Sequence, residues 1–71
     1  MGQRDPRHDP QPGDRVLLRH EGTARLVLEV KGTEALIGGE VIWRWLGGTA
    51  RRVTPIVEWR RDLEAARIIL W

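Results

Sequence analysis

Glu40-Val-Ile-Trp-Arg-Trp-Leu-Gly-Gly-Thr-Ala-Arg-Arg-Val53 decides the reading of this chain. Its first seven residues are rich in β-branched and aromatic side chains, which suits a strand. Residues i and i+2 of a strand point to one face, so Trp43 and Trp45 share a side and Arg44 takes the other. Gly47-Gly48-Thr49 follows as a hairpin turn, and Ala50 to Thr54 returns as the next strand. The chain has four Trp, no Phe and no Tyr, so this stretch holds half of its aromatic residues. Rings beside arginines suit a packed core or a surface that grips a ligand.

Outward from that hairpin, the N-terminal side reads as strands and turns. Arg15 to His20 alternates, with Val16 and Leu18 on one face. Glu21-Gly22-Thr23 is a turn. In Ala24 to Lys31, Leu26, Leu28 and Val30 face one way and Arg25, Glu29 and Lys31 the other. Val27 breaks that polar face. Lys31 to Glu34 is a second turn, and Ala35 to Ile37 is apolar. Gly38-Gly39 is either a bulge within one long strand or the tip of another hairpin. Residues 1–13 are rich in Pro and Gly and poor in apolar side chains, which predicts a disordered N-terminal tail ahead of a single domain over 14–71.

On the C-terminal side, Thr54-Pro55 fits a helix start, with Thr as N-cap and Pro in the first turn. Ile56, Trp59, Leu63, Ala66 and Leu70 then recur at helical spacing. Asp62 and Glu64 would also mark a helix start near Arg61. A final strand through Arg67 to Trp71 is the alternative to one continuous helix. Trp59, Ile68, Ile69, Leu70 and Trp71 are the candidate oligomer interface, because one helix face cannot hide so apolar an end.

Pro12-Gly13-Asp14-Arg-Val-Leu-Leu18, Gly22, Val41-Ile-Trp43-Arg-Trp45 with Gly47-Gly48, and Thr54-Pro55 together resemble small SH3-like barrels. They are most similar to short bacterial proteins that open with a Gly-Asp-x-Val strand, carry a Trp before a Gly turn, and close with a Pro-initiated helix. Trp45 matches that Trp. The resemblance covers residues 12–64 and implies a mainly β fold: a small SH3-like barrel of about five strands with a C-terminal helix. The longer Lys31–Gly39 region and the apolar C-terminus depart from it. A weaker likeness is to the plasmid-borne, tetrameric SH3-like dihydrofolate reductase. The positions matching its pore strand are Arg51, Arg52, Val53 and Thr54. Its Gln and Tyr are absent, so the assembly but not the activity carries over.

Composition limits the chemistry. A 71-residue chain has a small core, and domains of this size lean on disulfides, metals or oligomerisation. With no Cys and only His8 and His20, disulfides are excluded and neither a metal site nor a cofactor is expected. Homo-oligomerisation is the expected route. No apolar run reaches the length of a membrane span, and no secretory signal is read at Met1, which leads to an expectation of a cytoplasmic bacterial protein. Ser is absent, Thr supplies the only side-chain hydroxyls, and His20 beside Glu21 reads as a solvated pair. No catalytic constellation emerges.

The net charge is +2, yet residues 44–61 carry five arginines against Glu58 alone, a local sum of +4. Arg44, Arg51, Arg52, Arg60 and Arg61 are therefore the candidate binding residues. At least two of the four tryptophans are expected in core or interface, since so small a core needs their volume. The leading expectation is a non-enzymatic, oligomeric interaction module for another macromolecule. A nucleic-acid-binding protein using its arginine face is the alternative, and an enzyme formed only at an oligomer pore the last.

Overall fold

The computed structural model of the chain describes residues 5–32, 38–64 and 66–69. Four strands form an antiparallel meander: β1 (Arg15–Leu17), β2 (Arg25–Lys31), β3 (Glu40–Trp45) and β4 (Arg52–Pro55). Helix α1 (Ile56–Asp62) follows, and a three-residue strand β5 (Arg67–Ile69) returns to pair with β1. The sheet order is β4-β3-β2-β1-β5. The protein is thus mainly β with one short helix. The last described strand comes back to the first, so β1 is paired on both sides.

One face of the sheet packs on α1. Val16, Leu18, Val27, Val41, Trp43, Ile56, Trp59, Leu63 and Ala66 form the core, with Val30 and Trp45 packed against it. The i, i+2 alternation of β3 places Val41, Trp43 and Trp45 together, as expected. β2 differs from the expected alternation. Arg25 and Val27 are its buried residues, and the pairing with β3 shifts between Val27 and Glu29. Leu28 is the extra residue. A bulge of this kind moves every later side chain to the other face, so Val30 opposes Val41 and packs inward. Val27 interrupts the apparent polar face because it is on the core side.

The helix also starts one step away from the expected cap. Pro55 ends β4 and occupies the N-cap position, with no side-chain cap. The Thr54 hydroxyl instead accepts a hydrogen bond from Trp43 Nε1 at 2.9 Å. Ile56 and Trp59 hold the buried helical face, at 2% and 0% exposure, and the C-cap residue Leu63 is buried just beyond it. The helix stops at Asp62, and the described part of the C-terminus is a strand. Of the alternatives over 55–71, the helix-plus-strand form is observed. Two details of the loops differ as well: β4 begins at Arg52 rather than Ala50, and Gly38-Gly39 lie ahead of β3. Gly39 O accepts the Ile56 N–H at 2.7 Å, tying the β2–β3 connection to the helix start. Ala35 to Ile37 fall outside the described residues.

The segment over 1–13, expected as a disordered tail, is attached to the domain where it is described, at α1 and at β2. Pro6 is among the fully buried side chains, and its carbonyl accepts the Trp59 Nε1–H at 3.1 Å. Arg60 Nε donates to His8 O at 3.0 Å, and Arg7 Nη1 to Glu64 O at 2.9 Å. Gly13 N–H and the Asp14 carbonyl exchange hydrogen bonds with Val27 at 2.9 Å each. The prolines that suggested disorder also lower the entropy lost on docking, because their φ is already fixed.

Candidate functional site

The tryptophans and arginines separate into two settings. The first is interior. Arg25 opposes Trp45 across the β2–β3 ladder, and its side chain is only 10% exposed. Its guanidinium carbon lies 4.3 Å from the Trp43 ring centroid and 5.7 Å from those of Trp45 and Trp59. Glu21 holds the same group at two points: Nε to Oε1 at 3.2 Å and Nη2 to Oε2 at 2.8 Å. Bidentate pairing and aromatic contact are what permit a guanidinium to leave water. Trp43 and Trp45 meet edge to face, 5.0 Å apart with an interplanar angle of 89°.

The sequence placed Arg25 on the solvent side, so it was not a candidate. Val27 breaking the polar alternation was the available signal. A chain so short of large apolar residues closes one end of its core with an ion pair laid on indoles.

The second setting is the outer end of the β3–β4 hairpin. Arg44 projects from the face opposite Trp43 and Trp45, as its parity requires. Its Nη1 donates to Gly48 O at 2.8 Å and Trp45 O at 3.3 Å. The Gly48 N–H in turn donates to Trp45 O at 2.8 Å, and Gly47 takes a φ of +89°, which only a residue without Cβ adopts at little cost. Arg44, Arg51, Gly47, Gly48, Thr49 and Leu28 line an open cleft of about 480 Å³. Arg51 is exposed and forms no ion pair with any described residue. Among the described residues no acid lines the cleft. Glu40 on the same strand lies four residues away, about 13 Å along it. Glu29 is paired with Lys31 at 4.0 Å.

Arg52 goes to the other face. It opposes Trp43 on β4, with its guanidinium 5.8 Å from the Trp43 centroid and 6.0 Å from that of Trp45. Trp45 itself is partly exposed, and with Glu21, Gly22 and Thr23 it lines a second shallow depression of about 360 Å³.

The five candidate arginines thus do not form one patch. Arg44 and Arg51 share a cleft, and Arg52 stands beside Trp45. Arg60 and Arg61 are on α1, where Arg60 binds His8 O and Arg61 lies 3.6 Å from Glu58. Both helix arginines stay exposed, on an element apart from the hairpin cleft. Of the candidate interface residues, Trp59 is fully buried in the chain's own core and is removed from that role: it is the residue that joins α1 to β3 and to Pro6. Ile68 and Ile69 are in β5, opposite Val16 and Arg15. Leu70 and Trp71 lie outside the described residues.

Among the described residues no three His, Asp or Glu side chains come together as a metal site. No described helix is long and apolar enough to cross a membrane. The site defines a small antiparallel β domain with a basic, acid-free hairpin end. Comparison with protein-family models, with curated proteins and with solved structures gives no match.

Proposed function

We propose that this protein is a non-enzymatic interaction module, built on an SH3-like β scaffold, that binds a macromolecular polyanion at the β3–β4 hairpin end. The observation that carries this reading is the acid-free cleft shared by Arg44 and Arg51. Arg44 is fixed in place by two backbone carbonyls through a single nitrogen. Part of its guanidinium remains available, and it is already ordered. Ordering before binding reduces the entropy lost when a ligand is gripped. The cleft is open rather than enclosed, which favours a chain lying across the surface over a small molecule inside a pocket.

The test is titration of the full chain at low salt with polyglutamate, single-stranded poly-dT and a DNA duplex. At least one should bind, with affinity that falls as salt rises. The Arg44→Gln/Arg51→Gln double variant should lose most of that affinity. Binding by none of the three sinks the proposal, as does binding that the double variant leaves unchanged.

Self-association is a second reading, supported by β5 being an edge of the described sheet. An unpaired edge offers backbone donors and acceptors to a second copy. Light scattering over a wide concentration range should show a mass above that of one chain; a constant monomer mass rejects it.

A further inference from the structure

We infer that the polyanion is a single-stranded nucleic acid, with a base stacked on Trp45 and its flanking phosphates on Arg52 and on the Arg44–Arg51 cleft. This rests on the polyanion reading above and adds the class of partner. Three features of the hairpin end point the same way.

First, a flat aromatic surface and cations alternate there. Trp45 lines the depression beside Gly22 and Thr23, and Arg52 stands 6.0 Å from its ring. Single strands present the same alternation of π-face and phosphate, and proteins grip them with stacking rings beside basic grooves.

Second, the charge around Trp45 suits a neutral base. Glu21 borders the depression, its two oxygens held by Arg25, with His20 Nε2 3.9 Å away. With Glu21 and Arg25 paired, the depression presents little net charge, which suits an uncharged ring over a carboxylate. A nucleobase brings no charge, and its exocyclic N–H groups can donate to the remaining lone pairs of that carboxylate. Exposed Arg19 in the same loop adds positive potential along the approach.

Third, the two depressions lie on opposite sides of one hairpin. A ligand touching both has to pass over its end at Leu46–Gly48. A single strand is flexible enough to do so. Duplex DNA, stiff over about 150 base pairs, is not. Nor does α1 offer a duplex-reading helix, because it is seven residues long with Ile56 and Trp59 buried.

The experiment uses the full ¹⁵N-labelled chain with poly-dT, a mixed-sequence duplex and polyglutamate as probes. With poly-dT the Trp45 indole N–H signal should shift. Those of Trp43 and Trp59, bonded to Thr54 and Pro6 inside the fold, should stay in place. Trp45→Leu, which keeps apolar bulk, should bind poly-dT about tenfold more weakly, as loss of one stacked base implies. Arg52→Gln and Arg51→Gln should each reduce the salt slope by about 0.7, the single-strand value per phosphate. Should Trp45→Leu fail to fold, the indole shifts and the Arg52→Gln slope decide. A Trp45 indole unmoved by bound poly-dT overturns the inference, as does tighter binding of duplex. Polyglutamate binding as tightly as poly-dT also overturns it while leaving the polyanion reading standing. Binding of no probe removes both.

Discussion

Arg25 and Arg51 are the same residue type in two regions of one small sheet, and they do opposite things. Arg25 is enclosed by three indoles and neutralised by Glu21. Arg51 stands in solvent at an acid-free cleft. What separates them is the counter-charge. A guanidinium with a bidentate carboxylate can be taken out of water, and removing one partner then leaves a buried charge. A guanidinium with none stays hydrated and available. In this chain arginines therefore mark both the core and the candidate site, and only their partners tell which.

The comparison can be broken by mutation, beginning at the interior. Trp59→Ala removes a fully buried indole that touches Trp43 and Pro6. It should cost about 3–5 kcal/mol, enough to unfold a domain of this size, and circular dichroism at room temperature reads the loss. Glu21→Ala strands the Arg25 charge among the rings and should cost about 3 kcal/mol by urea denaturation. Arg25→Met, which removes the charge and keeps the bulk, should cost much less. If it costs as much as Glu21→Ala, ion pairing is not what the interior setting depends on.

At the hairpin the expected effects shrink. Arg44→Ala loses the hydrogen bonds to Gly48 O and Trp45 O and should lower stability by about 1 kcal/mol. Arg51→Ala should stay within about 0.5 kcal/mol of the parent, while polyanion affinity falls in both. An Arg51 variant that unfolds would erase the distinction between the two regions.

The smallest effect belongs to Asp5. The side-chain hydrogen bond from Arg7, opposed in part by desolvation, holds its carboxyl below the ordinary value. A depressed folded value gives stability that is complete above the unfolded value, about 3.9, and is lost as pH falls through the lowered one. Thermal melts of the parent and Asp5→Asn should differ at neutral pH and converge in strong acid.

Much of the scaffold was readable from residue order. Alternation gave β3 and the shared face of Trp43 and Trp45. Gly47-Gly48 gave the turn, and Val16 with Leu18 the buried side of β1. Ile56 and Trp59 gave the buried face of α1, with Leu63 buried at its C-cap. The candidate site was half legible: the sequence grouped five arginines, and the structure joined only Arg44 with Arg51. The contacts of Arg60 with His8 O and of Arg61 with Glu58 are visible only once α1 forms and the N-terminal segment docks.

Residue chemistry alone determined that this chain is mainly β, has no disulfide, and concentrates positive charge at residues 44–61. These follow from local periodicity and composition, which need no knowledge of what packs where. The tertiary structure decided the rest. The bulge at Leu28 let Arg25 and Val27 face the core ahead of it and Val30 behind it, and Trp59 went to the core rather than to an exposed interface. Pro6 was drawn under the helix, and Thr54 was given to Trp43 instead of to a helix cap. Each of these depends on a contact between residues far apart in the chain. Local spacing cannot report such contacts, because burial and counter-charge are properties of the assembled fold.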